Sequence, residues 1–145
     1  MHRPPLASWL NPQANLVLIG DSCHPMLPYL AQGANSSIED GAVLGLLLAP
    51  QHFHDRAQLT ETLRVFQDMR KARGEDIARE TFMQRKDFHM RDGTEQEDRD
   101  RLMLSMLGKE GVQGPFPSRW TCPEVQAWLY GYDACAAVED ALKAS

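Results

Sequence analysis

The sequence predicts an α/β fold that is predominantly helical, with one buried strand followed by several helices, and three features carry the prediction. Leu16-Val17-Leu18-Ile19 is a continuous apolar run closed by Gly20-Asp21, the pattern of a short strand buried on both faces. From Leu59 to Met90 apolar residues return at helical intervals among many charges. The 145 residues are 43% hydrophobic and 24% charged, a balance found in chains that fold around a core.

Taken in order, residues 1–15 are rich in Pro, Asn and Ser around Trp9 and Leu10 and read as an irregular lead-in with one buried anchor. The strand Leu16–Ile19 cannot form a sheet alone, because buried backbone groups need partners. A partner chain or an amino-terminal region is therefore expected to complete the sheet. Ser22 to Leu30 holds Pro25 and Pro28 and reads as an ordered loop. A helix follows from about Ala34 to Ala49, closed by Pro50, with Gly41 and Gly45 as bare patches suited to close approach.

The Leu59 to Met90 region turns Leu59, Leu63, Phe66, Met69, Ile77 and Phe82 inward, with Gly74 as a candidate break. Its basic residues Arg70, Lys71, Arg73, Arg85, Lys86 and Arg91 alternate with acids and read as a solvated face, the alternative being that one or two reach a cofactor phosphate in a complete protein. Asp92-Gly93 marks a turn, and Glu95 to Leu107 resumes as a helix burying Leu102, Met103, Met106 and Leu107. Gly108 to Ser118 is a loop. Thr121-Cys122-Pro123-Glu124 has the letters of a capped helix start, with Val125, Trp128, Leu129 and Tyr132 turned inward, and Ala134 to Ala144 ends the chain as helix. Trp9, Trp120 and Trp128 read as core or interface anchors.

Fifteen basic side chains stand against twenty acidic ones, a formal charge of -5 that argues against nucleic acid or an anionic membrane surface as partner. The longest greasy run, Ala42 to Ala49, is too short to span a bilayer. Cys23, Cys122 and Cys135 match neither a disulfide framework nor a metal motif, so no metal is expected and a cytoplasmic location is the simplest reading. His52-x-His54 lacks a third ligand nearby and reads as a solvated loop, and Cys23 beside His24 reads as a packed thiol.

Chemistry concentrates between Gly20 and Gly41. A strand ending in Asp21 sets an acceptor where open α/β sheets bind ligand hydroxyls. A helix opened at Gly33 offers free N–H groups and partial positive charge to an anion or to developing negative charge. Together they describe a site for a polyol and an anion.

The run Gly20-Asp21-Ser22-Cys23-His24, with Pro28 and then Gly33-Ala34-Asn35, resembles the G-D-x-x-H-x-x-x-P and G-x-N motif of class A flavoprotein monooxygenases. Its Pro28-Tyr29-Leu30-Ala31-Gln32-Gly33-Ala34-Asn35 wording is most similar to the salicylate-hydroxylase-like branch. The resemblance implies part of an FAD-binding, glutathione-reductase-like domain over residues 1–50 and a helical carboxy-terminal region over 51–145 packing on it. It implies that Gly20 and Asp21 border the cofactor, with Asp21 accepting from the ribityl chain of FAD. Pro28 would line the isoalloxazine pocket, while the backbone N–H groups of Gly33, Ala34 and Asn35 would face the flavin N1 and C2 edge. His24 is implied more as a support behind the loop than as a proton carrier, with Pro28 and His24 the positions nearest to catalysis. The implied reaction reduces FAD with NADH or NADPH and transfers one oxygen atom from dioxygen to a small aromatic, phenolic substrate.

The chain departs from that pattern in having no G-x-G-x-x-G turn for the ADP half of FAD. The run at Gly108, Gly111 and Gly114 follows a helix, and Asp92-Gly93 lies after the motif instead of before it. The expectation is a carboxy-terminal portion that is incomplete as an enzyme and binds FAD weakly alone. A non-catalytic helical interaction module derived from the same fold is the alternative.

Overall fold

A computed structural model describes residues 4–109, 116 and 118–144. Five α-helices order the described residues: α1 (Gly33–Leu47), α2 (Leu59–Phe88), α3 (Thr94–Ser105), α4 (Pro123–Tyr130) and α5 (Ala134–Ala144). Three single 3-10 turns, Gly20–Ser22, Pro28–Leu30 and Arg56–Gln58, punctuate the connections. Most of the expected Gly108 to Ser118 loop, including Gly111 and Gly114, lies outside the described residues, as does Met1-His2-Arg3.

The expected α/β architecture is corrected here: the described residues are almost entirely helical and contain no β-strand, so the glutathione-reductase-like arrangement with a buried strand is not what they form. Residues 16–19 are extended, but their strand-like backbone pairing among the described residues is confined to Trp9–Asn11, through one isolated Leu10–Val17 bridge and the Leu18 N–H donated to the Trp9 carbonyl at 2.9 Å. Leu16 is 55% exposed and Ile19 is 42% exposed. An apolar run becomes a strand only when neighbours pair along its length, and a single bridge does not supply them.

α2 is the spine, 30 residues long and therefore about 45 Å from end to end. The Arg56–Gln58 turn that leads into it has a capping box, with Asp55 accepting from the Ala57 N–H and Gln58 accepting from the Asp55 N–H, and Arg85 and Lys86 favour the carboxyl end of α2. Its polar side chains accept backbone N–H groups from three separate loops. Gln67 takes Trp9, Thr81 takes Leu27 and Gln84 takes Arg119. Such loops could not otherwise bury those donors without a penalty.

The core has two parts. Trp9, Cys23, Val43, Leu47, Phe66 and Val138 meet between the lead-in, α1, α2 and α5. Leu30, Ile77 and Leu129 meet between the Pro28–Leu30 turn, α2 and α4, with Met26 and Val125 against them. Trp9 is the anchor expected of it, whereas Trp120 and Trp128 are exposed by more than a third. Gly74 does not break α2, and Gly41 and Gly45 face open space instead of a close neighbour. In α3 no residue is buried, against the expected inward face of Leu102, Met103, Met106 and Leu107. α4 begins at Pro123 without a side-chain cap, because the Thr121 hydroxyl turns back to the Ser118 carbonyl.

Burial, followed by the charge of Asp40, pushes the Cys23 thiol up to about 12, so it is a protonated packing group. Cys122 is also buried and Cys135 is exposed. In the folded protein a maleimide should label Cys135 alone, with Cys23 and Cys122 reacting only after denaturant is added. Rapid labelling of Cys23 in native buffer would contradict this packing.

Candidate active site

The segment singled out in the sequence is held from behind by a buried network of charges. Asp40, on the inner face of α1, accepts from the Gly20 N–H at 2.9 Å and from His24 Nε2 at 2.7 Å through Oδ2. Its Oδ1 accepts from Arg70 Nε at 2.8 Å. The side chains of His24, Asp40 and Arg70 are all 0% exposed. Burial by itself would raise the Asp40 carboxyl, but the donors His24, Gly20 and Arg70 outweigh it and hold Asp40 below the usual carboxylate range.

Arg70 also donates Nη2 to the Ser36 carbonyl, and its Nη1 lies 2.8 Å from Glu39 in an ionic contact without hydrogen-bond alignment. Arg73 grips both Glu39 oxygens at 2.8 Å and donates to the Trp128 and Leu129 carbonyls at the end of α4. The Tyr132 ring lies against both guanidinium groups, 5.1 Å from Arg70 and 4.3 Å from Arg73. Arg70 and Arg73 are thus not the solvated face read from charge alternation. The burial of Arg70 had one legible signal: Leu63, Arg70, Ile77 and Gln84 stand seven residues apart on the buried stripe of α2.

Two glycines let the network close. Gly20 has φ +60, and a Cβ there would lie 2.7 Å from Ser37 Oγ, so both its backbone angle and its space exclude a side chain. At Gly74 a Cβ would meet the His24 ring at 3.0 to 3.3 Å, because the imidazole lies on the bare backbone of α2. Trp9 covers the ring from another side, with centroids 5.3 Å apart.

The expected site residues divide accordingly. Gly20 and His24 are buried in the support, with His24 2% exposed and its Nε2 committed to Asp40. Asp21 is exposed, Pro28 is exposed at the start of its own 3-10 turn, Gly33 begins α1, Ala34 is exposed and Asn35 is half-buried. Asp21 and Gly33 come together across the opening: a Cβ on Gly33 would be 3.7 Å from Asp21 Oδ1 and 3.9 Å from Met26 Cγ. No side chain caps the amino end of α1, whose first N–H groups lie outside the helix's own ladder. Asn35 is held by hydrogen bonds from its Nδ2 to Gln32 and Glu39. A carboxylate acceptor, free helix donors and a glycine cradle fit a flavin with its polyol chain. Cys23, His24 and Asp40 also lie close enough to be metal ligands, but Arg70 on Asp40 places a cation where the metal charge would go.

Arg70→Met leaves Asp40 buried without its cation and should cost about 3–5 kcal/mol in urea unfolding. Because the folded carboxyl of Asp40 is depressed, its contribution is present above the unfolded pKa of about 3.9 and is lost as pH falls through the lower folded value. Asp40→Asn should therefore be less stable at neutral pH and should lack that part of the acid-induced loss, and an unchanged acid profile would remove Asp40 from its central place. Gly74→Ala should displace the His24 ring, read as a shift in its imidazole NMR signals.

Comparison with known proteins finds relatives among FAD-dependent enzymes. Residues 11–81 match the FAD binding domain family. The chain is 49% identical over 142 residues to the FAD-dependent monooxygenase OpS4 of Beauveria bassiana, covering 98% of this chain and 32% of that protein. It is 38% identical over 104 residues to the FAD-dependent monooxygenase atnJ of Arthrinium sp, covering 72% of this chain and 24% of the relative. The 3-amino-4-hydroxybenzoate 2-monooxygenase PtmB3 of Streptomyces platensis is 34% identical over 119 residues, covering 82% and 26%. The chain therefore spans about a third or less of the length of these curated relatives. In fold it is similar to the crystal structure of FqzB, with a TM-score of 0.69 at 23% identity over 99% of this chain and 29% of that one. A second similarity is to CtdE, solved in complex with FAD and a substrate, with a TM-score of 0.60 at 23% identity over 96% and 28%. Over residues 11–81 the chain is thus similar to the FAD binding domain family, and over most of its length it is similar to part of several FAD-dependent monooxygenases.

Proposed function

We propose that residues 20–35 form the flavin-facing half of the FAD site in an enzyme that hydroxylates an aromatic, phenolic compound using NADH or NADPH and dioxygen. The observation that carries this reading is the approach of Asp21 Oδ1 to the bare face of Gly33, which sets one acceptor and the free donors of α1 on a single opening. Bound FAD supplies the redox and oxygen chemistry. Asp21 accepts a hydrogen bond from a ribityl hydroxyl. The N–H groups of Gly33, Ala34 and Asn35 would hold the flavin ring's polar edge, where preorganised donors favour negative charge. Pro28 stiffens the wall beside the ring. His24, through Asp40 and the Gly20 N–H, is a positioning residue: it keeps the turn bearing Asp21 in register with α1. The aromatic substrate follows the PtmB3 relative, whose name specifies an aminohydroxybenzoate.

These contacts address the ring and its polyol chain, not the ADP half of FAD. The purified chain should therefore quench FMN and FAD fluorescence to the same extent, weakly in both cases, and Asp21→Ala should abolish the effect. Quenching that survives Asp21→Ala would refute the assignment of Asp21. Recovery of a yellow protein with stoichiometric FAD would refute the reading that the site is incomplete.

A further inference from the structure

We propose that the cleft between the end of α2 and the start of α3 binds a nucleoside phosphate. It is a broad depression open to solvent, with about 760 Å3 of space, within the range of sites for small organic ligands. The inference stands apart from the flavin reading, since none of the cleft's lining residues belongs to residues 20–35.

The lining combines three kinds of chemistry. Arg85, Lys86 and Arg91 supply cations, Asp92 and Glu95 supply carboxylates, and Phe82 and Met90 supply apolar surface. The cations are unusual within this acidic protein. Among the described residues five Lys or Arg side chains make no ion pair, Arg56, Arg85, Lys86, Arg91 and Lys109, and three of the five line this one cleft. Elsewhere, Arg56 and Lys109 apart, the described basic side chains are matched to acids, several at intervals of three or four along a helix. Here Asp92 and Glu95 share the cleft with the cations without pairing with them.

One ligand class uses all three surfaces. Guanidinium and ammonium groups hold a phosphate, arginine by two parallel donors. Carboxylates accept from sugar hydroxyls. An aromatic base packs on Phe82 and on the Met90 thioether, which favours ring contacts. Inorganic phosphate alone would leave most of the volume unfilled, and an apolar ring alone would leave the cations without a counter-charge. The ligand can be a free nucleotide or the nucleotide end of a dinucleotide, and the two share this chemistry.

The cleft is also wired to the family motif. His89, in its lining, is hydrogen-bonded through Nε2 to the Tyr29 hydroxyl at 2.8 Å, and Tyr29 follows Pro28 directly. The Tyr29 ring stands edge-on to His89 and Phe88, and Trp120 Nε1 donates to the Tyr29 carbonyl at 2.8 Å.

The test is calorimetric titration of the full chain with adenosine monophosphate, adenosine, inorganic phosphate and NADH, repeated on Arg85→Gln, Arg91→Gln and Asp21→Ala. All three positions are exposed, so folding is retained and is checked by circular dichroism. Adenosine monophosphate should bind, each Arg→Gln change should weaken it about tenfold, and added salt should weaken it further. Adenosine and inorganic phosphate should each bind at least about tenfold more weakly, since each offers only part of the complement. NADH binding more tightly than adenosine monophosphate through the same arginines would support the site and assign it to a dinucleotide. The proposal is overturned by absence of adenosine monophosphate binding at millimolar concentration, or by affinity unchanged in both arginine variants. It is equally overturned if inorganic phosphate binds as tightly, or if Asp21→Ala removes the binding and so moves it to the flavin opening.

Discussion

The fold depends on one buried carboxylate. Asp40 joins three parts of the chain that share no regular secondary structure: the Gly20 turn, the His24 loop and the middle of α2 through Arg70. An isolated carboxylate in such a place would cost too much to remain charged. Three donors around it reverse that outcome, and the same three donors determine where each segment must lie. The network is therefore a registration device as much as a source of stability, since its value lies in the cost of breaking it.

From that point the arrangement spreads outward by satisfying donors. Arg73 extends the network to Glu39 and to the carbonyls ending α4, so the amino-terminal motif and the carboxy-terminal helices are tied to the same stretch of α2. Gln67, Thr81 and Gln84 repeat the pattern with backbone N–H groups of the loops. The apolar clusters fill the space between these contacts and supply the bulk of the burial. The functional opening benefits directly: Asp21 sits one residue beyond Gly20, whose N–H is held by Asp40, and Gly33 begins the helix that carries Asp40. The acceptor and the donors of the proposed flavin opening are thus two ends of one rigid connection.

Much of the site was legible in the letters of the motif, and its support was not. The motif resemblance implied Asp21, Gly33, Ala34 and Asn35 as neighbours of a flavin, and of these the structure brings Asp21 beside Gly33. Asp40 and Arg70 escaped notice. Charge alternation along α2 resembles a solvated face wherever acids and bases intermingle, and only the seven-residue register with Leu63 and Ile77 distinguishes Arg70 from its neighbours. Gly74 was read as a break because glycine lowers helix propensity. Its role, to make room for an imidazole, belongs to a contact 50 residues distant.

What the sequence determined by itself was the helices. α1, α2 and α5 lie within a few residues of where periodicity and breakers put them, because a helix bonds each residue to one four positions away and so answers to local sequence. Tertiary structure decided the rest. Leu16 to Ile19 has the composition of a strand, yet a strand's hydrogen bonds come from other segments, and the described residues offer it one bridge. In the same way, Leu102 and Leu107 are apolar yet stay 41% and 80% exposed, whereas Arg70 is charged and fully enclosed because Asp40 waits opposite. Burial and pairing are relations between distant residues, and the chain must fold before they exist.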